Sequence, residues 1–193
     1  MEITQLNNRL IKRCLNTLLV LLTMIYSGNQ FLYAQEDTEA EEEEKHELDR
    51  KGGFQDIKLN SNIEEYSGLE YKKDIKEDLY PGAKLYVSKK GSYTNIGKVE
   101  VHGVEVKVYK NQIYEIIVEM DKDPAIYQGL TRNFGDSKYN LVEKAYYWRT
   151  KNIRLYFKPR DRNRLVLEYY SYVMDRLRMQ EIKQSYTDVS DDF

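Results

Sequence analysis

Seven bases fall within the sixteen residues from Arg149 to Arg164: Arg149, Lys151, Arg154, Lys158, Arg160, Arg162 and Arg164, with Asp161 as the only acid among them. The arginine guanidinium is a planar fork of donors that matches carboxylate and phosphate oxygens two at a time. Four of the bases flank a turn expected at Pro159–Asn163, which makes Arg160, Arg162 and Arg164 candidates for holding an anionic partner. A solvated, charged hairpin loop has the same composition. The aromatic groups Tyr146-Tyr147-Trp148 and Tyr169-Tyr170-Ser171-Tyr172 are the second candidate surface, because sixteen of the eighteen tyrosines follow residue 34 and these are the densest clusters. Successive strand residues face opposite sides, so in each group one ring belongs to the core and its neighbour is free for contact. Tyr147, Trp148 and Tyr170 are the residues chosen. Exposed tyrosines offer rigid amphipathic area at low entropic cost.

Other chemistry is sparse. The chain has no glycine-rich phosphate loop, no Gly-x-Ser-x-Gly and no His-Glu-x-x-His. Its histidines are His46, in an acidic stretch, and His102, beside a glycine. Glu100/Glu105 and Glu115/Glu119 could pair for acid–base work, but alternation places them on a wet strand face. No catalytic residue, no metal ligand set and no cofactor is expected from these residues.

Arg9, Lys12 and Arg13 precede a twelve-residue apolar run, Leu15–Tyr26, which is followed by Ser27-Gly28-Asn29 and then Leu32-Tyr33-Ala34. Basic head, short apolar core and a small residue before the cut are the order of a secretory signal peptide. Cleavage is expected after Ala34, placing the mature chain in the periplasm or at the cell surface. The run alone is shorter than the roughly 20 residues of a bilayer span. The competing reading is an anchor kept over residues 15–34. Cys14, the only cysteine, leaves with the signal, so no disulfide is available to the mature chain. Export also sets nucleic acid aside as the natural partner.

Residues 36–51 hold nine acids and three bases, including Glu41–Glu44. So few apolar groups cannot offset chain entropy, and residues 35–52 are expected to be a disordered acidic leader. The globular part is expected over 53–184, with a flexible tail at 185–193. Phe54–Leu59 alternates as a short edge strand, and Ser61 with Glu64 forms a capping box. Lys84–Ser88, Gly97–His102, Val104–Tyr109 and Ile113–Met120 alternate as strands, with a turn at Gly103 and a tight hairpin at Lys110-Asn111. Asp123 as cap, Pro124, an Ile126/Leu130/Phe134 stripe and Gly135 predict a helix over 124–134. Ala145–Arg149, Ile153–Lys158 and Leu165–Tyr170 read as three more strands, and Val173–Ile182 as a closing helix. The fold class is α+β: an antiparallel sheet with one main amphipathic helix and shorter terminal helices packed on one face.

Gly53-Phe54, Ile57 and Leu59 ahead of a capped helix, with Asn133-Phe134-Gly135 ahead of aromatic strands, resemble small exported α+β domains of Gram-negative bacteria. Tyr33-Ala34-Gln35 resembles cleavage regions of the Bacteroidota. The resemblance implies compartment and fold class, and no site residue. The function expected is that of an exported, non-enzymatic binding or envelope-assembly protein. Its partner would be a protein or an anionic envelope component, either lipid headgroup or acidic glycan. The alternatives are an envelope-acting hydrolase with a dispersed carboxylate site and a secreted inhibitor or immunity-type protein.

Overall fold

The computed structural model describes residues 47–190, with side chains as far as Tyr186. The expected signal peptide and most of the acidic leader lie outside the described residues, as does the tail beyond Ser190. The described part is α+β, dominated by one antiparallel sheet of nine strands.

A helical turn at 47–51 opens the domain, followed by the two-stranded hairpin β1 (Gly53–Phe54) and β2 (Ile57–Lys58). A Cβ on Gly53 would stand 2.1 Å from the carbonyl oxygen of Ile57, so only glycine lets these strands meet. The domain therefore begins before Gly53. Leu48 is 1% exposed, and Asp49 accepts hydrogen bonds from Thr150 Oγ1 and Asn152 Nδ2 at 2.5 and 3.2 Å. The expected capping box is replaced by an Asn62 cap on a 3-10 turn, Ile63–Glu65. The Ser61 hydroxyl bonds instead with Lys58 O and the Tyr66 hydroxyl.

The large sheet runs in the order β3 (Leu69–Asp74), β4 (Lys84–Ser88), β6 (Val99–Tyr109), β7 (Gln112–Asp121), β11 (Arg164–Ser171), β10 (Ile153–Pro159), β9 (Ala145–Arg149), β8 (Lys138–Asn140). The short β5 (Asn95–Ile96) pairs with the start of β6. Gly103 makes no turn. β6 runs through it, and the pairing with β7 shifts by one residue at His102, a bulge. The Lys110-Asn111 hairpin forms as expected, with φ of 48° and 64°. A second bulge puts Tyr114 and Glu115 on the same face.

Helix α1 (Pro124–Phe134) has the ends its sequence implies. Asp123 accepts from Ala125 N at 2.7 Å, and the Gly135 N–H, at φ 75°, donates to Thr131 O. Its Ile126, Leu130 and Phe134 pack on the face formed by Val104, Val106, Ile116, Val118, Leu155 and Leu167, with Trp148 at the side. The N-terminal hairpin completes that cover. Helix α2 (Tyr172–Ser190) is longer than expected. Its Met174 joins Tyr80, Ala83, Tyr109 and Tyr114 in a second cluster. Val108 and Tyr169 belong to the main core whereas Tyr109 and Tyr170 belong to the second, so the two clusters lie on opposite faces. The expectation of all helices on one face is corrected accordingly: α1 and the start of α2 pack on opposite sides.

Candidate functional site

The face opposite α1 is built from the residues that alternate with the core. Across β11, β10 and β9 it carries Glu168 and Tyr170, then Arg154, Tyr156 and Lys158, then Tyr147 and Arg149. Register sets their neighbours: Arg154 stands directly opposite both Tyr170 and Arg149, and Tyr156 opposite both Glu168 and Tyr147. Two arginines facing each other across a strand pair repel, and here rings absorb the charge. The Arg154 guanidinium lies 4.5 Å from the Tyr156 ring centre and 4.9 Å from that of Tyr170, and Arg149 lies 4.9 Å from Tyr172. Tyr147 meets Tyr156 edge-on at 6.0 Å. Arg154 reaches Glu168 only at 3.5 Å, while Lys158 takes the other Glu168 oxygen at 2.5 Å. Among the described residues the buried Nε of Arg154 has no hydrogen-bond partner.

Farther along the face, Lys107 holds Glu115 and Glu77, each at 2.8 Å. Burial pushes the Glu115 carboxyl above the usual range, against the pull of Lys107. Burial opposes the Lys107 charge, but its two carboxylates outweigh that and raise its pKa. Beside them Tyr80 and Tyr170 both donate to Asp175 Oδ1, at 2.5 and 2.7 Å, and Tyr80 stacks on Tyr114 at 4.1 Å. Burial above all drives the Tyr80, Tyr114 and Tyr170 phenols well above their ordinary range. This corner is packing, and its tyrosines stay protonated.

The basic turn is less basic than its sequence. Glu119 of β7 receives Arg160 Nε at 3.2 Å and Arg164 Nη1 at 2.5 Å. Asp161 Oδ1 accepts from the backbone of Asn163 and Arg164, which lowers its pKa and keeps it charged. Arg162 alone of the three candidate arginines lacks a carboxylate partner among the described residues. Comparison with protein-family models, curated proteins and solved structures found no match.

Of the six candidate residues, Arg160, Arg162 and Arg164 do converge on one turn, and Tyr147 and Tyr170 share the polar face. Trp148 does not belong with them: it is 4% exposed, donates its indole N–H to Gly135 O at 2.8 Å, and packs edge-on to Phe134. Its ring points to the α1 side because strand alternation opposes it to Tyr147. Arg149, Arg154, Tyr156 and Tyr172 were not singled out as a group. The signal for them was period-two alternation applied to the arginines as well as to the rings.

Among the described residues, no three of His, Cys, Asp and Glu stand close enough to hold a metal ion. His102 Nε2 is 2.7 Å from Asp121 Oδ1, and no hydroxyl or thiol bonds to its ring among the described residues. A cleft of about 420 Å³ lies beside Asp49, Asn60 and Asn152, but both Asp49 oxygens are occupied by Thr150 and Asn152.

Proposed function

We propose that this chain is an exported, non-enzymatic binding protein whose polar sheet face takes an acidic glycan of the cell envelope. The observation that carries this reading is the Arg149–Arg154 pair, opposed in register and ringed by Tyr147, Tyr156, Tyr170 and Tyr172. Tyrosine rings give flat amphipathic support to a sugar, and a guanidinium beside them meets its carboxylate with two donors. Arg149 is exposed and has no carboxylate partner among the described residues, so it has donors to offer.

Four carboxylates of this face argue against hydrolysis, while Asp175 takes two tyrosine hydroxyls and the exposed Glu100 stands 3.9 Å from His102 Nδ1. Glu115, Glu119, Glu168 and Glu105 each sit in an ion pair with a base. A glycosidase acid and its partner carboxylate must instead be free to trade protons or attack. The export half of the proposal rests on Arg9, Lys12, Arg13, the Leu15–Tyr26 run and Ala34, all outside the described residues.

The test is calorimetric titration with a polyuronate and with a neutral glucan. The polyuronate alone should bind, more weakly as salt rises. Arg149→Gln should weaken it by about tenfold, the range of one charge-assisted hydrogen bond, with the circular dichroism spectrum unchanged. Equal binding of both polymers, or of neither, overturns the proposal. Release of reducing ends from the polyuronate would make the protein an enzyme that cleaves the chain and overturn the non-enzymatic reading.

A further inference from the structure

The turn between β8 and β9 carries the most exposed aliphatic side chains among the described residues: Leu141 at 82% and Val142 at 88%. They are adjacent, and the turn is held rather than loose. Asn140 Oδ1 accepts from the backbone N–H of Val142 and of Glu143, at 2.9 and 3.1 Å, and Lys144 takes a φ of 50° to bring the chain back. Tyr139 and Tyr146 stand at the base of the turn, half-exposed, with ring centres 5.0 Å apart. Lys138 and Lys144 flank it, and neither has a carboxylate partner among the described residues. β9 starts where β10 ends, since Tyr146 pairs with Phe157 and Pro159 with Leu165. The 141–144 turn and the turn bearing Arg162 therefore leave the sheet at the same end.

We infer that this end of the sheet seats on an anionic lipid bilayer, with Leu141 and Val142 entering the boundary between headgroups and acyl chains. A convex tip of two side chains is far smaller than the roughly 800 Å² per partner of a stable protein interface. Wedging apolar groups among acyl chains needs no matching surface. The surrounding residues are those of a membrane interface: tyrosines at headgroup depth, and lysines that keep their stems in the boundary and their charge at the phosphates. Lys138, Lys144 and Arg162 give the charge that anionic headgroups complement. Glycan binding occupies a different face, so the two inferences stand or fall separately.

The Leu15–Tyr26 run of the full chain could enter vesicles by itself, so the test reads the tip directly. V142W in the full chain places a reporter on the turn, and Y186W places one on a remote exposed position of α2. The buried Trp148 is a constant background in both. Vesicles of equal parts phosphatidylcholine and phosphatidylglycerol, with or without brominated acyl chains, should shift V142W emission to the blue and quench it, and leave Y186W unchanged. Adding L141S to V142W should weaken the blue shift and the bromine quenching of the tip reporter, because loss of one buried leucine lowers insertion of the tip by about tenfold. L141W repeats the measurement with the neighbouring side chain, so the result does not depend on how one variant sits in the turn. An unresponsive tip reporter overturns the inference, as does an equal response from Y186W. An equal response with pure phosphatidylcholine overturns the role given to the cations.

Discussion

The two faces of the sheet are made from alternate residues of the same strands and solve opposite problems. On the α1 side, Val104, Val106, Ile116, Val118, Leu155 and Leu167 are sealed by a helix and a hairpin, and stability comes from removing apolar area from water. On the other side, the residues between them are Glu105, Lys107, Ile117, Glu168, Arg154 and Tyr156. These shield themselves, each carboxylate with a base and each arginine with a ring. The first face tolerates only shape. The second tolerates changes of residue but not of charge balance. A surface satisfied by its own side chains can exchange those contacts for a ligand's, which a sealed core cannot do.

Adjacent residues give the sharpest way to break that contrast. Trp148→Ala should cost about 3–5 kcal/mol in denaturant unfolding, because it leaves a cavity and strands the Gly135 carbonyl. Tyr147→Ala, one residue away, should cost about 1 kcal/mol or less. Similar losses would mean that the second face is also core. At the edge of the sealed side, Leu48→Ala should cost about 2–4 kcal/mol. A silent change there would return residues 47–51 to the acidic leader.

The charge balance is tested by Lys107→Ala, which removes the ion-pair partner of the Glu115 carboxylate in a buried site. The expected loss at neutral pH is about 2–3 kcal/mol, below the range for a fully buried pair because Lys107 keeps some solvent contact. The sign with pH follows from Glu115, whose folded pKa is raised by burial. Its protonated form is the one the fold prefers, so the gap between variant and parent should close as pH falls and that carboxyl takes its proton. A gap independent of pH would mean that lost packing, not the stranded charge, is responsible. The smallest effect belongs to the basic turn. Replacing Arg160, Arg162 and Arg164 together by Gln should change stability by less than about 1 kcal/mol, since exposed pairs with Glu119 contribute little. A larger loss would make the Glu119 ion pairs a structural clasp.

Where adjacent residues decide the structure, the sequence was readable. Asp123, Pro124 and Gly135 bound α1, and Lys110-Asn111 makes the hairpin because its requirement for positive φ is local. β3 was missed because Glu70 to Asp74 are all exposed on an edge strand, which leaves no alternation to detect. Gly103 read as a turn because a bulge and a turn use the same residue; only pairing with β7 separates them. The basic turn looked uncompensated because Glu119 reaches it through the β7–β11 pairing, across an intervening helix and three strands. The polar face was half legible: Tyr147 and Tyr170 stand out as aromatic clusters, whereas Arg149 and Arg154, on strands as their alternation implies, meet those rings only through the pairing of β9, β10 and β11.

That same β7–β11 pairing has a kinetic side. Every other neighbouring pair in the large sheet is joined by a hairpin or a modest loop, so β3 to β7 and β8 to β11 are each local meanders. β7 ends at Asp121 and β11 begins at Arg164, and their union is the one long closure in the sheet. Local contacts form early and distant ones carry the loop-entropy cost. Each meander can therefore assemble before the seam closes, and until it does, the long unpaired edges of β7 and β11 are the surfaces through which two partly folded copies would find each other.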